Sequence, residues 1–450
     1  MKSYPSYKDS GIEWIGEIPS HWESLRLKNL STIQASNVDK KIKENEHEIL
    51  LCNYLDVYRN EFISKKINFM KGTANEKEMK KFILEKDDVL VTKDSEDPKD
   101  IAIPAHVIED FDNVLCGYHL TQIKPESSLS GRYLFRIFQT KAFNAYFEVN
   151  ANGITRYGLT IQTFSNFKVL FPPLSEQTAI ADFLDQKTGE IDLAVKKGEE
   201  RIRLLKEYRA AMIHEAVTRG VPADIAGIDQ GVEMKESGIE YIGEIPKHWE
   251  VVKLKYCSIV QTGITPSSTK EEFYYPPEID WYAPGDFRDD IYLKNSKRKI
   301  SELAIQERAG RLFPANSVLL VGIGATLGKI GIILNEGSSN QQINAITFKE
   351  NYYSLYGAYF LSSISESIAS LSNASTLAIL NQSQTKDISV PFPPIEEQRQ
   401  IVEYIETETA RLDAEIRTAE EEIRLLQEYR EALISEAVTG KIDVRDYPLN

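Results

Sequence analysis

Phe171-Pro172-Pro173-Leu174-Ser175-Glu176-Gln177 returns 221 residues later as Phe392-Pro393-Pro394-Ile395-Glu396-Glu397-Gln398. Each copy leads into a long stretch that closes on the same word, Glu215-Ala216-Val217-Thr218 and Glu436-Ala437-Val438-Thr439. Proline is tolerated only before or within a first helical turn, so each Pro-Pro pair marks the start of a helix, with Ser175 as N-cap and Leu174 ahead of it. Gly220 and Pro222 stop the first copy. Alternating steps of four and three pick out Leu184, Ile191, Val195, Ile202, Leu205 and Met212 in the first helix, and Ile405, Leu412, Ile416, Ile423, Leu426 and Leu433 in the second. Such a seam suits a coiled coil. A helix of roughly 65 Å, at ~1.5 Å rise per residue, outruns any single small domain, which counts against two ordinary amphipathic helices each lying on its own domain.

Working outward, Ser10-Gly11-Ile12-Glu13-Trp14-Ile15-Gly16-Glu17-Ile18-Pro19-Ser20-His21-Trp22 returns as Ser237-Gly238-Ile239-Glu240-Tyr241-Ile242-Gly243-Glu244-Ile245-Pro246-Lys247-His248-Trp249. A whole half of the chain is therefore duplicated, globular part plus helix. Connectivity makes the two helices antiparallel, with Gly198 beside Ala419, Thr188 near Arg430 and Thr409 near Arg209. Trp22 and Trp249 are expected to anchor cores. Both modules read as α+β: strands at 88–92, 101–103, 114–116 and 120–123, a helix over 132–147 and a strand at 167–170, then strands at 317–321, 329–333 and 345–348, a helix over 355–371 and a strand at 388–390. The expected division is a globular domain at 1–173, a helix at 174–219, a linker at 220–233, a second domain at 234–394, a helix at 395–440 and a tail at 441–450. The fold class is α+β, two similar domains separated by two long antiparallel helices, with pseudo-two-fold internal symmetry. The frames match while the middles, about 35–150 and 262–370, share plan rather than residues.

With 450 residues, 42% of them apolar, the chain has material for two or three cores. No apolar run reaches the ~18 residues of a membrane span, and the start lacks the apolar core of a signal peptide. Cys52, Cys116 and Cys257 are scattered, which indicates neither a disulfide framework nor a zinc site and points to a reducing cytoplasm. The net charge of −15 is concentrated on the scaffold, where 395–440 holds thirteen acidic residues against five basic ones. The globular parts are close to neutral. They remain compatible with a local basic face but predict modest DNA affinity for the chain alone.

Catalytic motifs fail on inspection. Gly322-Ile323-Gly324-Ala325-Thr326-Leu327-Gly328-Lys329-Ile330 lacks the first glycine and the final Ser or Thr of a Walker loop, and Leu327 occupies the third glycine of a dinucleotide fingerprint. A tight turn between strands is the better reading, with Lys329 still able to touch a phosphate. The histidines show no metal spacing, and no nucleophile elbow occurs. The expectation is a chain without catalysis of its own and without a bound metal.

The two Trp-containing openings, the two Phe-Pro-Pro-Leu/Ile-x-Glu-Gln entries, the segments Leu204-Leu205-Lys206-Glu207-Tyr208-Arg209 and Leu425-Leu426-Gln427-Glu428-Tyr429-Arg430, and the two Glu-Ala-Val-Thr endings together resemble the specificity subunit of a type I DNA restriction-modification enzyme. The resemblance covers nearly the whole chain. It implies two variable target-recognition domains, each reading one half of a split double-stranded DNA site. It also implies that the paired helices dock two methyltransferase subunits, which motor-nuclease subunits join. S-adenosylmethionine, ATP and Mg would belong to those partners and none to this chain.

Base edges specify sequence whereas Lys and Arg on phosphates mainly position the protein. Candidate DNA contacts in the first module are Lys93 and Ser95, Tyr118 and His119, and Arg156 and Tyr157 from the run 152–158. In the second they are the amides of Asn340, Gln341 and Gln342, with Lys297, Arg298 and Lys329 suited to phosphates; residues 373–380 take the place of 152–158. Each is otherwise a solvated loop. The expected target is asymmetric and bipartite with an unread gap. The rival reading is a coiled-coil scaffold whose end modules grip proteins, distinguished by complex formation indifferent to DNA and salt.

Overall fold

Trp22 and Trp249 are both fully buried, and the motif that opens each long helix explains why. The Trp22 indole donates to Glu176 Oε2 at 2.7 Å and the Trp249 indole to Glu397 Oε2 at 2.8 Å. His21 and His248 reach the same two carboxylates. Next in sequence, Gln177 donates to the Pro172 carbonyl and accepts from the Ser130 amide; Gln398 does the same with Pro393 and Tyr353. Pro-Pro-x-x-Glu-Gln is thus a clasp: its buried polar groups are satisfied by the opening and by the helical layer of the same module.

The computed structural model describes residues 2–222, 232–288, 290–370 and 379–448. The chain divides into two units, 1–199 with 420–450, and 200–419. The long helices are Leu174–Arg219 and Ile395–Val438. The first begins one residue before the expected cap: Pro173 O accepts from the amides of Glu176 and Gln177, so Ser175 lies inside the first turn.

The first unit is built on a five-stranded sheet in the order Ser31–Ala35, Leu120–Pro125, Val89–Thr92, Pro104–Val107, Phe62–Ile63. Its pairs are antiparallel except the last, which is parallel. The second unit repeats this with Ser258–Thr262, Ile343–Phe348, Val318–Val321, Ile330–Ile333 and Tyr292–Leu293, in the same senses. A smaller sheet also recurs: Val114–Cys116 lies parallel to His47–Cys52, as Gly337–Ser339 lies parallel to Ile279–Tyr282.

Some boundaries depart from the sequence reading. Residues 101–103 are not a strand, because Ala102 sits at φ +62° and its amide turns back to Thr92 O; the ladder begins at Pro104. The helix expected over 132–147 is two, Gly131–Phe138 and Lys141–Asn150, broken where Thr140 Oγ1 bonds Ile137 O. Its counterpart is Ser354–Ser363 followed by Ser365–Ser370, and Leu371 lies outside the described residues.

Within each unit, parts of the two long helices run antiparallel. In the first, Ile180, Phe183 and Leu184 share a core with Leu433, Ile434, Ala437 and Val438. In the second, Ala216 and Val217 share one with Ile401, Val402 and Ile405. All twelve seam residues are buried or partly buried. The register is one turn from that expected. Gly198 faces Ile423 rather than Ala419, and Arg430 binds Asp192, one turn past Thr188. Arg209 likewise stands 3.3 Å from Asp413. Ion pairs fix this alignment, because Thr188 and Thr409 spend their hydroxyls on their own helices, at Leu184 O and Ile405 O.

Candidate nucleic-acid interface

In the first unit three loops, at residues 93–95, 117–119 and 156–159, meet at one edge of the large sheet. Lys93 follows the strand Val89–Thr92; its amide donates to His119 O, and its carbonyl accepts from Leu159 N. Tyr157–Gly158 pairs with Asp94–Ser95, setting Tyr157 opposite Ser95. Asp94 is the hub: one carboxylate oxygen lies 2.8 Å from His119 Nδ1 and the other accepts from Arg156 Nη2 at 2.6 Å. Arg156 also stands 3.3 Å from His119 Nδ1. Tyr118, half exposed, projects beside them.

Lys93 and Ser95 are placed differently from what was expected of DNA contacts. The Lys93 ammonium lies 4.9 Å from the Tyr118 ring centroid and donates to Ser36 O at 3.0 Å, and burial holds its pKa below the usual lysine range. Ser95 is buried and accepts from the Asp97 amide. Both build the loop, leaving Tyr118, His119, Arg156 and Tyr157 at the surface of the cluster. A hollow of about 730 Å³ adjoins it, with Lys40, Lys41, Tyr54, Asn68, Tyr118 and His119 among its lining residues. Lys40, Lys41 and Tyr54 were not singled out from sequence, since no short-range pattern connects them to residues 118–119.

The second unit reproduces the backbone of this edge bond for bond. Gly322 N donates to Gln342 O, Leu380 N to Gly322 O, Ile343 N to Asn340 O and Asn340 N to Tyr282 O. The first-unit equivalents are Lys93 to His119, Leu159 to Lys93, Leu120 to Gly117 and Gly117 to Cys52. Apart from the shared leucine, Leu159 and Leu380, the side chains differ. Ile323 bridges Ile379 where Asp94 pairs with Gly158. Asn340 is 8% exposed; its amide donates to Gln342 Oε1 and its Oδ1 accepts from Gln342 N, so it shapes the turn. Gln341 is exposed and Gln342 partly so.

Lys297 and Arg298 are exposed just before Lys299–Ile300, which pairs with one edge of Ile279–Tyr282 while Gly337–Ser339 pairs with the other. Lys297 Nζ already donates to Gly285 O. Lys329 is exposed in the turn joining Val318–Val321 to Ile330–Ile333. Of the expected segment 373–380, residues 373–378 lie outside the described residues. Among the described residues, no group of three or more His, Cys, Asp or Glu stands where it could hold a metal ion, and no helix is long and apolar enough to cross a membrane.

Comparison with known proteins fits this geometry. A family model described as the type I restriction modification DNA specificity domain matches residues 19–200 and again 246–424. The MjaIX type I restriction enzyme specificity subunit of Methanocaldococcus jannaschii is 35% identical over 173 residues, 38% of this chain and 39% of that relative. A putative type I restriction enzyme MjaX specificity subunit from the same organism is 22% identical over 96% of both chains. Among solved structures, one from a study of complex assembly and conformational transition of the type I R-M system aligns with a TM-score of 0.68 at 16% identity, over 94% of this chain and 99% of that one. The HsdS subunit from Thermoanaerobacter tengcongensis aligns at 0.55 and 16% identity, over 94% and 98%. With the family model matched twice across most of the sequence, the chain belongs to the type I restriction-modification specificity subunits.

Proposed function

We propose that the chain is the sequence-reading subunit of a type I restriction-modification complex, each unit reading one half of an asymmetric bipartite DNA site. The observation that supports this most directly is the edge just described. Two loops held by the same backbone hydrogen bonds carry Tyr118, His119, Arg156 and Tyr157 in one unit and Gln341 and Gln342 in the other. Sequence is read by side-chain donors and acceptors at base edges, so a constant frame with exchanged side chains is what two readers of different half-sites require. Lys297, Arg298 and Lys329 would position the second unit on phosphates.

In this reading the chain performs no catalysis. Its long helices dock two methyltransferase subunits, motor-nuclease subunits complete the assembly, and S-adenosylmethionine, ATP and Mg are bound by those partners in the cytoplasm. Selection from a random duplex pool, using the chain co-expressed with its methyltransferase partner, is expected to recover two different short motifs at a fixed spacing. Replacing residues 117–119 with the sequence of 340–342, and separately the reverse, should alter one motif at a time. An assembled complex that enriches no sequence would overturn the proposal.

A further inference from the structure

Beside the long helices the two units solve the same packing problem differently. In the first, Arg136 is 1% exposed and its guanidinium is fully surrounded. Nη2 donates to Asp185 Oδ1 at 2.7 Å and to Thr188 Oγ1 at 3.1 Å, and Nη1 to Gln139 Oε1 at 2.8 Å. Arg430 lies alongside, bound to Asp192 and to Glu61. The repeat fixes the equivalent positions in the second unit. Tyr133 hydroxyl bonds Val438 O just as Tyr356 hydroxyl bonds Val217 O, which places Tyr359 at the position of Arg136. The 221-residue offset of the helices sets Glu406 for Asp185, Thr409 for Thr188, Asp413 for Asp192 and Arg209 for Arg430.

Those residues surround a cavity of about 260 Å³, lined also by Ser362 at the position of Gln139. It exceeds by more than tenfold the ~15 Å³ that a single water needs. Two acceptors of the first unit are kept, Glu406 for Asp185 and Thr409 for Thr188, while its cation is gone: a tyrosine cannot supply the charge that Arg136 brings. The Tyr292 hydroxyl donates to Glu406 Oε1, and Asp413 has Arg209 on one side. Where Glu61 bridges two arginines in the first unit, Ile291 stands in the second, with the Asp290 carboxylate next to it in the same lining. Three carboxylates line the cavity against one arginine, and although Lys294 stands 3.7 Å from Asp290 at the surface, one negative charge is left over.

We propose that this cavity is a binding site for a guanidinium group from outside the chain, either an arginine side chain of a partner protein or a free guanidino compound. The planar fork of a guanidinium matches paired carboxylate and hydroxyl acceptors better than the point charge of an ammonium. The molecule itself supplies the precedent, since the same acceptor positions hold a guanidinium in the other unit. The site is independent of the DNA-reading edges.

Titration of the full chain with methylguanidinium, against neutral methylurea, tests it. Saturable binding of methylguanidinium alone is expected, weakened at least tenfold in Glu406→Gln and abolished in Tyr359→Arg, which fills the cavity as the first unit does. Unfolding midpoints of both variants control for misfolding, and Glu406→Gln keeps an acceptor for Tyr292. Assembly of the Tyr359→Arg chain with its methyltransferase partner separates the two sources: a tenfold loss assigns a partner arginine, unchanged assembly a free guanidino compound. No saturable binding, equal binding of methylurea, or equal binding of methylguanidinium to all three chains would overturn the inference.

Discussion

The first unit buries charged and amide groups where the second buries a phenol, a hydroxyl and a methyl group. Arg136, 1% exposed, becomes Tyr359; Asp88, 3% exposed, becomes Ser317; and Gln122, 0% exposed, becomes Ala345. Strand order, strand sense and the hydrogen bonds that join the loops at the sheet edge are nonetheless the same. The backbone frame is therefore specified by the clasps at its ends, the Trp-to-Glu and Gln-to-carbonyl bonds, and by alternation of apolar residues in the sheet. Within that frame, buried polar groups are interchangeable so long as each new set satisfies itself.

If that is right, removing half of a buried set must cost more than exchanging the set. Arg136→Met leaves Asp185 without its buried partner, whereas Tyr359→Phe removes one hydroxyl from a cavity that already admits water. Uncoupling a buried pair costs about 3–5 kcal/mol, and Asp185 keeps Arg132 and some solvent, so about 3 kcal/mol is expected for Arg136→Met. Tyr359→Phe should cost about 1 kcal/mol or less. Urea denaturation of both variants checks this. Equal losses would mean that the polar fill, not the clasp, defines the first unit.

The next contrast is in pH response. Burial pushes the Asp88 carboxyl up to about 6, against the pull of the Glu85 amide, Lys124 and Gln122. An acid whose folded pKa is raised binds more protons folded than unfolded between about pH 4 and 6, so its contribution to stability is complete below about 4 and is lost as pH rises through 6. At ~1.4 kcal/mol per pKa unit this is on the order of 3 kcal/mol. Ser317, which pairs with Thr347 Oγ1 at 3.0 Å, has no such dependence. Stability monitored from pH 4 to 7 should fall less in Asp88→Asn than in the native chain, and an unchanged slope would place the titration elsewhere.

How much of this was legible in sequence follows from what each feature depends on. The repeated motifs and the long helices were, because Pro-Pro, Trp and the apolar seam act locally or at helical spacing. The Trp-to-Glu bonds that make the motifs a clasp join distant residues and were not. The Asp94–Arg156–His119 cluster was legible only as three separate loops, since their meeting depends on strand order. Nothing local announces that Lys93 turns inward to Ser36 O, or that the Asn340 amide is spent on Gln342. The strands His47–Cys52 and Met70–Ala74 went unread because charged residues flank them and their partners come from elsewhere in the chain. The helix register was not legible because two-fold symmetry and the small residues Gly198 and Ala419 point to one alignment, whereas the ion pairs of Asp192 and Asp413 set another.

That register gives the finest contrast. Gly198 and Ala419 are equivalent positions, yet only the first lacks a side chain. A Cβ at Gly198 would stand 2.9 Å from Ile423 Cγ1, an atom near the branch of a stiff side chain rather than its far end, so something must shift. Alanine gains about 1 kcal/mol over glycine in helix propensity, against roughly 1–3 kcal/mol for overpacking. A net loss of about 1 kcal/mol is therefore expected for Gly198→Ala. Ala419→Gly, which removes a Cβ that is only 1% exposed, should cost a similar amount for the opposite reason. Thermal unfolding of the two single variants tests both signs. A Gly198→Ala chain more stable than native would show that Ile423 yields and that propensity alone governs this position. The double variant, carrying the glycine in the other helix, would then report how far the two positions are interchangeable.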